Sequence, residues 1–202
     1  MFSGKTTELV RRIRRHCLAK RQCVVIKYRG DTRYSEEKLS THDLAMIPAI
    51  SCQKLSEVDS KVQNADVIGI DEGQFYPDLL PFCESQANAG KIVIVSALDG
   101  TFERKRFNSV VDLIPLCESV VKLNAVCTVC GATAAFSKRI VDDTKLELVG
   151  GSDKYTAVCR KCYFAHSLQH KEESSKCEKE ISSPIANPNS PSLDEPISFP
   201  SS

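Results

Sequence analysis

Asp71 and Glu72 stand side by side at the end of an apolar run, Val67-Ile68-Gly69-Ile70, and lead into Gly73-Gln74-Phe75. Two adjacent carboxylates in such a place suit two different tasks. One can hold a magnesium ion directly or through water, since that hard cation takes oxygen ligands. The other can accept a proton from an attacking hydroxyl. A second set of residues opens the chain: Ser3-Gly4-Lys5-Thr6, the close of the phosphate-binding pattern G-x-x-x-x-G-K-[ST]. Its lysine would reach the outer phosphates of a nucleotide, and its threonine hydroxyl would ligate magnesium. A third set is two cysteine pairs, Cys127-Thr128-Val129-Cys130 and Cys159-Arg160-Lys161-Cys162. Paired thiolates at this spacing fit a tetrahedral, four-sulfur structural zinc site, which leaves no open position for catalysis. For residues 67–75 taken alone, a strand followed by an acidic turn is the plain alternative.

These groups need elements to hold them. An apolar run of the 67–70 type suits a strand buried on both faces of a parallel sheet, and ligands bind such sheets outside the carboxyl ends of the strands. Residues 22–28 and 91–98 read as two more buried strands, and 120–126 as another. Leu9, Ile13 and Cys17 recur every four residues, so a helix follows the phosphate loop, with its N-terminal N–H groups facing the phosphates. Arg11, Arg12, Arg14 and Arg15 fall on its other faces and read as a solvated surface rather than a nucleic-acid patch. A loop at 29–43 could bring Arg33 against phosphates. Residues 44–64 suggest a short strand and a helix around Cys52 to Val62. A helix is expected to about Asn88, capped by Asp78, with Pro81 in its first turn and Gly90 just past its end. Another is expected at 108–117. Strand and helix in alternation mark a parallel α/β sheet. Between the cysteine pairs, strand-like runs at 133–141 and 145–149 flank a turn and predict a zinc ribbon.

Length and composition agree with this class. The chain has 202 residues, 42% hydrophobic and 26% charged, with a net charge of +1. Those values are ordinary for a globular protein and give no global attraction to nucleic acid or a membrane. No apolar run approaches spanning length and no secretory pattern opens the chain, so a cytoplasmic location is expected. Among the ten cysteines, Cys17, Cys23, Cys83 and Cys117 sit in apolar stretches and are expected to be small buried hydrophobes. From residue 168 the chain is rich in Ser, Pro, Lys and Glu, a composition expected to stay disordered.

Taken together, Phe2-Ser3-Gly4-Lys5-Thr6-Thr7-Glu8-Leu9, Asp31-Thr32-Arg33-Tyr34, Gly69-Ile70-Asp71-Glu72-Gly73-Gln74-Phe75, Leu98-Asp99-Gly100-Thr101-Phe102, the cysteine pairs and Gly150-Gly151-Ser152-Asp153-Lys154-Tyr155 resemble the cytosolic thymidine kinases of the animal type. The resemblance covers residues 1 to about 165. It implies a P-loop (RecA-like) α/β fold, with helices on both faces of a parallel sheet, plus a small zinc-binding β-ribbon with a lasso loop. Three regions follow: a nucleotide-binding kinase domain at 1–126, a ribbon and lasso at 127–167, and a tail at 168–202. The implied activity moves the γ-phosphate of ATP to the 5′-hydroxyl of thymidine. On this chain Glu72 matches the catalytic base, and Thr6 and Asp71 match the magnesium partners. Ser3, Gly4, Lys5, Thr6, Asp31, Thr32, Arg33, Asp71, Glu72, Gly73 and Gln74 lie toward the nucleotide. Phe75, Leu98, Phe102 and Phe107 match the pocket for the base, and Leu146, Glu147, Leu148, Val149, Gly150 and Tyr155 the lasso that clamps it. Cys127, Cys130, Cys159 and Cys162 match the zinc ligands, and a homotetramer is implied.

The sequence departs from that family pattern at its start. The strand that precedes the phosphate loop, and the loop's leading glycine, would lie before Met1, so an amino-terminal truncation is expected. Two alternatives are set beside the kinase: an ATPase acting on nucleic acid, and a zinc-containing binding module with an inactive nucleotide domain.

Overall fold

The computed structural model describes residues 1–30, 38–40, 46–141 and 150–165. In chain order these form helix α1 (Lys5–Leu18), strands β1 (Cys23–Tyr28), β2 (Lys38–Ser40), β3 (Met46–Pro48) and β4 (Ile50–Cys52), and helix α2 (Asp59–Val62). Strand β5 (Val67–Ile70), helix α3 (Leu79–Asn88) and strand β6 (Ile92–Val95) follow. Then come strands β7 (Ala125–Val126), β8 (Thr133–Ala134), β9 (Phe136–Arg139) and β10 (Tyr155–Val158), and helix α4 (Arg160–Phe164). Short 3₁₀ segments cover Leu55–Val58, Gly73–Phe75 and Asn108–Leu116.

The site is carried by a four-stranded parallel sheet in the order β4-β1-β5-β6. Its interior strands are apolar over Cys23–Ile26 in β1 and Val67–Ile70 in β5 because both their faces are covered. Helix α1 lies on one face, where Leu9, Val10 and Ile13 pack with Val25 and Val67. On the other face Leu55, Val58, Val62, Leu79, Phe82 and Cys83 pack against Ile26, Ile68 and Ile70. Each fully buried Leu, Ile or Val side chain stabilises the fold by roughly 1.5–3 kcal/mol, so the sheet is a rigid base for whatever projects from its carboxyl edge. Helix α1 comes unusually near β5 at Gly69, where an added Cβ would sit 2.9 Å from Ile13 Cδ1.

Helices on both faces of a parallel sheet match the sequence expectation. Several details do not. Residues 120–126 add no strand to this sheet: only Ala125 and Val126 are extended, and they pair antiparallel with β8. The cysteine ribbon draws them in, leaving Val120 and Val121 more than half exposed. Cys83 is buried as expected and Cys23 half-buried, but Cys17 and Cys117 are exposed. Cys17 sits in the last turn of α1, past the point where the helix packs on the sheet. Asp78 precedes α3 but makes no side-chain cap to it. Its two carboxylate oxygens instead accept the N–H groups of Leu55 and Ser56 at 3.0 and 2.9 Å. The segment 108–116 is helical, but in the tighter 3₁₀ form with Pro115 inside it.

The ribbon is a pair of antiparallel two-stranded units, β7 with β8 and β9 with β10. Ala125, Cys127, Ala134, Ala157 and Val158 are buried between them, with Phe136 and Tyr163 packed alongside. The expectations for 142–149 and for the tail from 168 lie outside the described residues.

Candidate active site

Three elements converge at the carboxyl edge of the sheet. Helix α1 is entered through Gly4, which takes a left-handed conformation at φ 75°. A side chain there would be strained, so glycine lets the chain turn straight into the helix. Lys5 and Thr6 are then the first two helical residues, at the end where unsatisfied N–H groups and the helix dipole favour an anion. The Thr6 hydroxyl lies 3.0 and 3.3 Å from the two oxygens of Asp71. Asp71 is one step beyond β5, its N–H bonded to the Ile26 carbonyl at 2.9 Å.

The strand register sets a buried polar row beside that carboxylate. Ile26 pairs with Ile70 and Ile70 with Val95, so Lys27, Asp71 and Ser96 are neighbours at the next step. All three are buried, at 6%, 4% and 7% exposure. Burial and the charge of Glu72 push the Asp71 carboxyl up to about 6, against the opposing pull of Ser96, Thr6 and Lys5. A cation beside this carboxylate would favour its charged form against that burial. Sequence reasoning passed over Lys27 and Ser96. A lysine directly after the apolar run Val24-Val25-Ile26, and still within the strand, was the available signal, because a buried charge there must be answered by something at the strand end.

Glu72 sits at φ 52°, left-handed for a residue with a side chain. Strain of this kind, held in place by its surroundings, gathers at functional sites. Here the surroundings are Gly73, whose N–H bonds the Ser96 carbonyl at 3.0 Å, and the fully buried Gln74. The Gln74 amide donates to one Glu72 carboxylate oxygen, and its own oxygen accepts the Leu98 N–H at 3.0 Å. Gln74 therefore orients the carboxylate and ties it to the loop after β6.

The expected aromatic residues fall into two groups. Phe75 stacks on Tyr28, ring centroids 5.0 Å apart, and meets the buried Phe107 edge-on at 6.1 Å. Leu98 is tied by its main-chain N–H to the side chain of Gln74, the residue before Phe75. Phe102 and the buried Tyr155 form the second group, joined by Arg139. That guanidinium lies 3.8 Å over the Phe102 ring and donates to the Tyr155 hydroxyl at 2.6 Å. Tyr28 and Arg139 were not expected, since only tertiary packing brings them here. Gly150 is half-buried against the Lys154 side chain. Ser3 is half-buried beside Gly4. Asp31, Thr32, Arg33 and Leu146, Glu147, Leu148 and Val149 lie outside the described residues.

The four expected cysteines come together, with all their sulfurs within 4.8 Å of one another and Cys130 Sγ 3.6 Å from Cys159 Sγ. Thiolates about 2.3 Å from one zinc ion stand roughly 3.8 Å apart, so the cluster fits that ion. Burial works to raise the Cys127 thiol, but N–H groups of Cys159, Val129 and Cys130 outweigh it and bring it down to about 6. The N–H of Cys162 lowers Cys159 as well, while hydrogen bonds with Cys130 and Cys159 push Cys162 up to about 12, so the four thiols share their protons unequally around the point where the ion would sit.

A family model described as thymidine kinase matches residues 1–163. Over 164 residues the chain is 55% identical to the thymidine kinase of Rabbit fibroma virus (strain Kasza). It is 57% identical to that of Variola virus (isolate Human/India/Ind3/1967) and 56% to that of Vaccinia virus (strain Western Reserve). Each match spans 81% of this chain and 92% of the relative.

Proposed function

The chain belongs to the thymidine kinase family, and from that premise we propose how its residues divide the work of moving the γ-phosphate of ATP to the 5′-hydroxyl of thymidine. The enzyme is an ATP-dependent nucleoside kinase. The observation that carries the residue assignment is the contact between Thr6 and Asp71, which joins the start of the phosphate helix to the carboxylate strand.

Phosphoryl transfer asks a protein for positioning and charge neutralisation. Lys5 and the N–H groups at the start of α1 would meet the phosphate oxygens, with Ser3 and Gly4 shaping the turn beneath them. Asp71 and Thr6, an all-oxygen pair, fit magnesium and would hold it. When bound, that ion supplies neutralisation of the charge that develops on the phosphates. Glu72 would accept the proton of the 5′-hydroxyl, its carboxylate oriented by the Gln74 amide. Asp31, Thr32, Arg33 and Gly73 remain our assignments toward the nucleotide.

The thymine ring is assigned to Phe75, Leu98, Phe102, Phe107 and Tyr155, because a flat apolar base suits aromatic walls. Leu146 to Gly150 are assigned to the clamp over it. We place zinc on Cys127, Cys130, Cys159 and Cys162 as a structural ion in a ribbon at 127–167, set beside a nucleotide domain at 1–126. A homotetramer and a cytoplasmic location complete the proposal. Among the described residues no disulfide joins the cysteines, as a reducing compartment would have it, and no helix is long and apolar enough to cross a membrane.

The test is transfer of labelled phosphate from ATP, with thymidine present or absent, for the natural chain and Glu72→Gln. Thymidine-dependent transfer that the substitution removes is the expected result. Transfer unaffected by Glu72→Gln would overturn the assignment of the base.

A further inference from the structure

Tyr163 follows the zinc-ligand residue Cys162 directly, in the short helix α4. Its hydroxyl donates to the main-chain carbonyl of Phe102 at 2.6 Å, across 61 positions of sequence. Its own N–H is bonded to the Cys159 carbonyl at 2.9 Å. One residue therefore touches the cysteine cluster at its backbone and the pocket loop at its tip.

The same loop is gripped from the ribbon in two further ways. The Arg139 guanidinium covers the Phe102 ring at 3.8 Å and is held by Tyr155, its partner in the β9–β10 ladder. Arg104, two residues past Phe102, sets its guanidinium 4.8 Å from the Tyr163 ring and 4.3 Å from the Phe164 ring. Arg104 takes a left-handed backbone at φ 62° to reach them. The loop's own bonds, from Glu103 and Lys105 N–H to the Thr101 hydroxyl, make it a stiff turn. A stiff turn moves as a body, so whatever fixes its carbonyl at Phe102 also fixes the Phe102 ring.

We propose that Tyr163 is a positioning residue for nucleoside recognition, holding the Phe102 ring at the distance from the base that the four-cysteine site dictates. The inference rests on the assignment of Phe102 to the nucleoside pocket. It gives the zinc ribbon a role in substrate selection as well as in stability. Tyr163 touches no substrate. Its hydroxyl acts through the Phe102 carbonyl, while its ring packs with Phe136 and Phe164 whether or not the hydroxyl is present.

The experiment compares Tyr163→Phe, Phe102→Ala and the double variant in the zinc-loaded, full-length protein. Thymidine KM, ATP KM, bound zinc and the thermal shift produced by thymidine alone are measured. Tyr163→Phe is expected to raise the thymidine KM about five- to tenfold, the worth of one lost hydrogen bond. The ATP KM and zinc content stay unchanged, and the thymidine-induced thermal shift shrinks. In the Phe102→Ala background the same substitution is expected to add nothing, because the ring it positions is gone. If Phe102→Ala weakens thymidine binding while Tyr163→Phe leaves it alone, the inference is wrong and the pocket assignment stands. If Phe102→Ala has no effect, the pocket assignment falls and takes the inference with it. Equal rises in both KM values with loss of zinc, or a fully additive double variant, would reduce Tyr163 to a structural residue.

Discussion

Thr6 and Asp71, 65 positions apart, share a hydrogen bond in which the hydroxyl lies 3.0 Å from one carboxylate oxygen and 3.3 Å from the other. The bond joins the end of a helix that attracts anions to the end of a strand that attracts cations. Under the proposed assignment such a junction would set a phosphate and its counter-ion side by side.

Replacing Asp71 by Asn removes a buried charge and keeps the shape. Transfer activity should fall at least about a hundredfold, since one electrostatic partner of the transition state is gone. The metal-free protein should nevertheless melt higher than the natural chain, because burial and the charge of Glu72 disfavour the charged carboxylate by more than Ser96, Thr6 and Lys5 favour it. Calorimetry without magnesium, set beside the activity assay, checks both signs.

Glu72→Gln should lower kcat by roughly 10² to 10⁴ and leave the ATP KM close to its starting value. The amide keeps the backbone strain and the reach toward Gln74 but cannot take a proton. Single-turnover transfer measured with saturating nucleotide separates this loss of chemistry from a loss of binding.

Asp78 provides a pH-dependent case. Burial works to raise its carboxyl, but the N–H groups of Ser56 and Leu55 outweigh that and hold it below the usual range. A carboxyl lowered on folding stabilises the fold above its unfolded value, and that stabilisation is lost as pH falls through the folded value. Asp78→Ala should therefore cost about 1–2 kcal/mol at neutral pH, by stripping two N–H groups of their acceptor. The gap between variant and natural chain should be level from about pH 6 to 8 and close below about pH 4. Thermal melts across that range test it.

Chelation should release one zinc ion per chain and lower the melting temperature. Cys130→Ser should bind the ion more weakly, since one thiolate of four is missing. Elemental analysis of the purified protein and melts with and without chelator read both effects.

Much of this arrangement was legible along the chain, for a physical reason. A strand covered on both faces is apolar over most of its length, so β1, β5 and β6 announce themselves as runs, and Asp71 as the charge that follows one. The cysteine pairs were legible because zinc demands their spacing. Val120 and Val121 misled because an apolar residue reports that burial is possible, not that a partner is at hand. Asp78 misled because its place before α3 looks like a cap, while a neighbouring turn in space competes for the same oxygens. The Tyr163–Phe102 bond leaves no trace in sequence, since neither residue needs the other for its local conformation.

Gly69 has the smallest side chain in the region and the widest reach. With Ile13 Cδ1 only 2.9 Å from where a methyl group would stand, the seat of α1 on the sheet is ground flush at that point. The helix carries Thr6 at one end, so its height above β5 gauges the gap to Asp71. In a Gly69→Ala variant the methyl group would press on the ends of the Ile13 and Leu9 side chains, and whatever their rotation does not absorb would lift the helix, with the groups assigned to ATP and thymidine chemically intact. Displacements approaching 1 Å can cost a hundredfold in rate, so the tolerance of the reaction centre is machined into the hydrophobic core beneath it.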